Sequence, residues 1–310
     1  MTQPQSTISK KSGSISLRHY VAGSIVTLLA LLIGVALSSR NTHAPSVQEY
    51  YSLMESRIGY WLILGNTRHC GLYPKGQLLP FPISKAHRAM EKKLHARLSL
   101  PAGSRVLDAG AGSGHVAMYM ARQGIRVQAI DITPHHIVDA RRTVEKNGLG
   151  DWIQVAEGDY HDLSAFSDSS FDGIYTMETF VHADDPKKAL AEFWRVLKPG
   201  GVLVMHEGDF NRDSEKLRDV LRLSHCGNTL REGQYRELIT KTGFVDYDLE
   251  DLSDQVLPLW RFFGVLGYIP YKVLRVFGLQ DRAINVMAGV ETWLNWKDGR
   301  YISVRAVKPQ

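Results

Sequence analysis

In the run Val106-Leu107-Asp108-Ala109-Gly110-Ala111-Gly112-Ser113-Gly114-His115, three glycines at alternate positions follow an apolar stretch and precede an amphipathic one. Glycine lets the backbone pass close to a ligand, and a helix beginning at His115 would aim free N–H groups at it. A nucleotide-like ligand is therefore expected, the alternative being a tight strand-to-helix turn with no ligand. The G-x-G-x-G spacing, in place of G-x-G-x-x-G, disfavours a dinucleotide pyrophosphate. Four more residues extend the site. Asp131, followed by Ile132, ends the next apolar run, where a carboxylate can accept both hydroxyls of a ribose. Asp159 and Tyr160 follow the third run and could bind and cover an adenine edge. Asp108, just before the glycines, could orient the loop or meet a cationic group. Each acid alone also suits a solvated strand end, but together they converge on the edge where open α/β sheets bind ligands.

The elements that must position these residues alternate between short apolar runs and amphipathic segments, the pattern of βαβ units and a mainly parallel sheet. Strands are predicted at 105–109, 126–131, 153–157, 173–177 and 201–206, with two more at 244–249 and 301–307. Helical spacing marks 115–123, 136–146 and 187–197, the last stopped by Lys198-Pro199-Gly200-Gly201.

In order and spacing these motifs resemble those of class I S-adenosylmethionine-dependent methyltransferases. The glycine run including Gly110, Gly112 and Gly114 is similar to their first motif and Asp131 to the ribose-binding acid. Gly158-Asp159-Tyr160 is similar to the adenine-contacting motif, and Leu197-Lys198-Pro199-Gly200-Gly201 to a late motif. The resemblance implies a Rossmann-like seven-stranded sheet with one antiparallel strand and helices on both faces, and S-adenosyl-L-methionine as cofactor. A finer resemblance, to the sterol and tocopherol methyltransferase subfamily, rests on Tyr60-Trp61 with His69-Cys70-Gly71-Leu72-Tyr73, and on Met177-Glu178-Thr179-Phe180-Val181-His182. It implies that Tyr60, His69 and Tyr73 belong to a lid over cofactor and substrate, while Glu178 and His182 face the transferred methyl. Proton handling then makes His182 the candidate base, with Glu178 as electrostatic partner or alternative base. The structural alternative has Glu178 binding cofactor or capping a helix and His182 as a loop residue. His135 and His136, at a helix start, read as structural; Glu207 and Asp209, after the fifth strand, read as solvated or substrate-facing. No metal constellation is evident.

Charge and hydropathy organise the rest. Of the 310 residues, 1–48 hold Lys10, Lys11, Arg18 and Arg40 and no acid, leaving a nearly neutral remainder, so a nucleic-acid substrate is disfavoured. Residues 20–39 carry no charge over 20 residues, enough for about 30 Å of helix and one membrane span. A cleaved or organelle-targeting segment is the alternative. The expected organisation is a basic tail at 1–19, a transmembrane helix at 20–39, linker and lid at 40–84, and a methyltransferase domain at 85–310. A cap insertion at about 252–297 would include Phe262 and Phe263 as substrate contacts. Pro258, Pro270 and the bases Arg261, Lys272 and Arg275 interrupt its apolar residues, predicting broken amphipathic helices at a lipid interface or over the cleft. The expected activity is methyl transfer to a lipophilic small molecule (terpenoid, sterol, prenylated aromatic or polyketide type) at a membrane surface. If the source is a eukaryote, the expected location is the endoplasmic reticulum membrane with the catalytic domain in the cytosol, an organelle-targeted chain being the alternative. Competing readings are a membrane adaptor that keeps the fold without the chemistry, and a nicotinamide-dependent oxidoreductase.

Overall fold

The computed structural model describes residues 48, 64–210, 226, 230–280 and 283–310. The expected span at 20–39 and Tyr60 lie outside these residues. Among the described residues, no helix is long and apolar enough to cross a membrane.

Seven strands form one sheet: β1 (Arg105–Ala109), β2 (Arg126–Asp131), β3 (Ile153–Glu157), β4 (Phe171–Met177), β5 (Leu197–Phe210), β6 (Val245–Asp251) and β7 (Gly299–Val307). Their order is β3-β2-β1-β4-β5-β7-β6, with β7 antiparallel to both its neighbours and the remaining pairings parallel. This is the sheet that the motif resemblance implied. The strand order reverses between β1 and β4, which opens a crevice at their C-terminal ends.

Alternating side chains divide the core. Val106 and Val204 point to one face, under α1 (Ile83–Leu98), α2 (His115–Arg122) and α3 (Pro134–Lys146). Leu107, Leu203 and Met205 point to the other, under α4 (Pro186–Val196) and α5 (Gln234–Thr242). The chain at Lys198-Pro199-Gly200-Gly201 bulges within β5, between the Phe171↔Leu197 and Gly173↔Val202 pairs. A Cβ on Gly201 would lie 2.8 Å from the Lys198 carbonyl oxygen, so the bulge needs glycine there.

The cap differs from its expected form. α6 (Ser253–Val276) is one continuous helix that runs through Pro258 and Pro270. A proline inside a helix costs about 3 kcal/mol. Burial offsets it: both prolines are buried, and so are Val256, Leu259, Tyr271 and Leu274, each worth roughly 1.5 to 3 kcal/mol. α7 (Ile284–Leu294) folds back against α6. Gly264 and Gly267 allow the approach, since a Cβ on either would lie 2.4 Å from Trp293 or 2.9 Å from Val290.

Candidate active site

The crevice at the sheet switch point is lined by Gly110 and Gly112 from the β1 loop and by Asp131 and Ile132 from β2. Asp159 and Tyr160 follow β3, Glu178 and His182 follow β4, and His69 comes from the lid. Of the expected residues, Gly110, Gly112, Asp131, Ile132, Asp159, Tyr160, Glu178, His182 and His69 thus meet in one cleft. Gly110 has φ +96°, and a Cβ there would lie 2.6 Å from Thr179; at Gly112, φ +53°, it would lie 3.2 Å from Arg68. Both positions need the glycine conformation and bring backbone to the cleft wall.

Asp131 holds this loop in shape. Its Oδ2 accepts the Gly112 N–H at 2.8 Å, and Oδ1 accepts the Thr133 N–H at 2.8 Å with His136 Nδ1 at 3.2 Å. Burial pushes the carboxyl up, but His136 and the two amides outweigh it and keep it below the usual aspartate range. Asp131 is therefore an ionised acceptor at the cleft wall. After β3, Asp159 Oδ1 accepts the His161 N–H at 2.8 Å, and Tyr160 donates its hydroxyl to the Thr179 carbonyl at 3.0 Å.

Glu178 joins three distant parts of the chain. It sits at φ +58°, an unusual conformation for a residue with a side chain. Its Oε1 accepts the Cys70 N–H of the lid at 2.6 Å and the Tyr301 hydroxyl of β7 at 2.7 Å. Burial raises its carboxyl above the usual range, against the lowering effect of these donors and of His69. The Tyr301 ring packs on Trp260 of α6 at 6.4 Å, so Glu178 stands between the cleft and the cap.

His182 ends a short 3-10 turn, Phe180–His182, whose position Glu207 fixes. The fully buried Glu207 carboxylate accepts the N–H groups of Thr179 (3.2 Å), Phe180 (3.0 Å) and Val181 (3.4 Å). Burial pushes its carboxyl up to about 7.

Several sequence expectations change. Asp108 does not line the cleft; it is buried below the loop, accepts the Tyr175 hydroxyl at 2.8 Å, and is pushed up to about 7 by burial. Gly114 also sits off the cleft, where it lets α2 approach Ala140 of α3. Tyr73 is buried with Leu64, Ala86 and Leu259, and Phe263 packs against that cluster. Phe262 meets Phe81 edge-on at 5.4 Å. These three aromatics join lid to cap and do not line the cleft: Tyr73 packs from the lid against α6, and the continuous α6 aims Phe262 and Phe263 back at the lid. Glu207 and Asp209 are buried because β5 extends through both; Arg300 binds the Asp209 carboxylate at 2.9 and 2.5 Å. His136 lines the cleft, five positions beyond Asp131 in the first turn of α3. Ser113, His115 and Thr179, inside the quoted motifs but given no role there, also line it, as do Arg68 and Asp184, which sequence reasoning missed. For His136 the signal was its register on a helix that begins beside Asp131.

The cleft suits S-adenosylmethionine: a floor of glycine backbone, an ionised acceptor at the end of β2, and acidic Glu178 opposite. Residues 107–205 match the methyltransferase domain family. An S-adenosyl-L-methionine-dependent Diels-Alderase of Talaromyces variabilis is 38% identical over 277 residues, covering 85% of this chain and 95% of that protein. A sterol 24-C-methyltransferase of Gibberella zeae is 29% identical, over 73% of this chain and 61% of its own length. A geranyl diphosphate C-methyltransferase of Streptomyces coelicolor A3(2), solved with S-adenosyl-L-homocysteine, shares the fold. Its TM-score is 0.64 at 19% identity, over 89% of this chain and 97% of its own. With the sheet order, the loop geometry and these relatives in agreement, the chain belongs to the class I S-adenosylmethionine-dependent methyltransferase family and is an enzyme that uses S-adenosylmethionine.

Proposed function

We propose that the enzyme transfers a methyl group to a lipophilic small molecule of terpenoid, sterol, prenylated aromatic or polyketide type at a membrane surface. The observation that carries this reading is the position of Glu178, on the cleft wall with His182 and joined through Tyr301 to Trp260 of the apolar cap. When bound, S-adenosylmethionine supplies an already activated methyl group. Asp131 would accept its ribose hydroxyls, and Ile132, Asp159 and Tyr160 would surround the adenine, while Asp108 and Gly114 support the loop from outside the cleft. The chain's remaining tasks are alignment of the acceptor, a proximity effect of up to about 7 to 11 kcal/mol, and removal of a proton. His182 takes that proton, with Glu178 as electrostatic partner or second base; burial, which raises the Glu178 carboxyl, suits proton exchange nearer neutral pH.

The uncharged stretch at 20–39 supports a single anchoring span, and the cytosolic origin of S-adenosylmethionine favours a catalytic domain on the cytosolic side, of the endoplasmic reticulum membrane if the source is a eukaryote. Carbonate extraction of the full chain and of a variant lacking residues 1–43 tests the anchor. Release of the full chain would instead support a cleaved or targeting segment.

A second reading is favoured by the 38% identity to a Diels-Alderase over 95% of that protein's length: a [4+2] cycloaddition in the same cleft. One experiment separates the two. The enzyme is incubated with methyl-labelled donor and an apolar extract of the source organism, and products are followed by mass spectrometry. Label in an apolar product supports methyl transfer. A cyclised product of unchanged mass, with the label still on the donor, overturns it in favour of cycloaddition.

A further inference from the structure

Beyond its buried face, α6 presents a divided outer surface. Phe262, Val265, Ile269, Val273 and Val276 recur at helical spacing and form one stripe. Val265 is 61% exposed, Ile269 65% and Val276 80%, and Phe277 just beyond the helix is 70% exposed. Phe81 meets Phe262 edge-on, and Leu78 and Leu79 beside it are 68% and 67% exposed, so the lid loop extends the same apolar surface. One position back along each turn runs a second stripe of Arg261, Tyr268, Lys272 and Arg275. Lys272 lies over the Tyr268 ring at 5.4 Å, and Arg261 donates to the Leu78 carbonyl at 3.3 Å. Arg275 pairs with the buried Glu291 at 3.4 Å, which leaves Arg261 and Lys272 to supply the net charge of this edge. Residues 255–280 contain no Asp or Glu.

We infer that this surface seats α6 and the loop at 78–81 in the interface of an anionic lipid bilayer, with the apolar stripe in the acyl boundary and Arg261 and Lys272 at the headgroups. A helix with an apolar stripe edged by bases lies in the membrane plane, about 5 to 10 Å into the headgroup region. Anionic headgroups attract the bases. A second copy of the chain fits less well, because the stripe and its edge offer no acid to meet those bases. The inference deepens the membrane-surface reading by naming its contact. It also gives the exposed end of the cap a role that packing does not.

The test uses the full chain with an environment-sensitive fluorophore on Ile269→Cys. A control carries the label on Arg142→Cys, on α3 beside β3 at the opposite edge of the sheet from β7. Unsubstituted protein, with Cys70 and Cys226, gives the background. With phosphatidylglycerol vesicles, the label at 269 should shift to the blue and be quenched by lipids bearing nitroxides just below the headgroup, while the label at 142 stays aqueous. Lys272→Glu added to Ile269→Cys should weaken the quenching. A label at 269 that stays aqueous overturns the inference, and so does a blue shift without lipid that grows with protein concentration, which would mark a second copy. Equal quenching in neutral vesicles overturns the anionic preference. The readout does not depend on turnover, so it stands or falls separately from methyl transfer.

Discussion

Replacing Asp131 by Asn keeps the shape of the side chain but changes what it can accept. Two of the carboxylate's partners are backbone N–H groups at 2.8 Å, from Gly112 and Thr133. An amide has one acceptor oxygen, so its NH₂ must face one of those donors, and the glycine loop loses a fixed point as well as a charge. If the carboxylate also accepts the ribose hydroxyls, the loss is that of a hydrogen bond to a charged group, about 1.5 to 3 kcal/mol. Binding of S-adenosylhomocysteine, measured by isothermal titration, should weaken about 10-fold to 150-fold. Unfolding at several pH values provides a second arm. The folded-state pKa of Asp131 lies below its unfolded value, so its stabilisation is present above the unfolded value and lost as pH falls through the folded one. The stability gap between wild type and Asp131→Asn should therefore close in acid. A folded variant that binds S-adenosylhomocysteine as tightly as wild type would refute the assignment of Asp131 to the ribose, whatever its stability.

Other parts of the site give separate tests. Tyr301→Phe removes only the hydroxyl that donates to Glu178, a bond that lowers the Glu178 carboxyl. Turnover should fall by roughly 10-fold or more, its acid limb should move to higher pH, and donor affinity should stay close to wild type; an unmoved limb would remove Tyr301 from the reaction. Gly110→Ala adds a Cβ 2.6 Å from Thr179 at φ +96°, so cofactor binding should be lost and thermal stability reduced, as titration and calorimetry would report. Glu207, raised to about 7 by burial, stabilises the fold below its unfolded pKa, and that contribution is lost as pH rises through about 7. Glu207→Gln should flatten the fall in denaturant-measured stability between about pH 5 and pH 8. Gly264→Ala drives a Cβ to 2.4 Å from Trp293 and should destabilise the cap by about 1 to 3 kcal/mol, seen as earlier hydrogen exchange in α6 and α7.

The sheet was largely legible in the chain. The bounds expected for β1, β2 and β3 match those observed, because each is a short apolar run bounded by breakers, and β1 leads directly into the glycines. That Asp131, Asp159 and Tyr160 line the crevice was legible for the same reason: position along a strand sets position in the crevice. What stayed hidden depends on partners far along the chain. Glu178 meets Cys70 across 108 positions and Tyr301 across 123, pairings set by strand order that no local pattern records. Glu207 looked solvated because its burial follows from β7 pairing with β5 from Val202 to Phe210. The prolines of α6 pointed to a break because a local rule cannot weigh the burial that offsets them.

β7 is the last strand in sequence, yet it fills the slot between β5 and β6. Until Gly299 to Val307 have been made, β6 has no partner in the sheet and the long edge of β5 has unpaired N–H and C=O groups. Where β5 pairs with β4 before then, its other edge stays open while the chain from Phe210 to Gly299 is synthesised, a window in which another strand could add in place of β7. Closure of the sheet also brings Tyr301 to Glu178, so the final strand to arrive completes both the scaffold and the wall of the cleft.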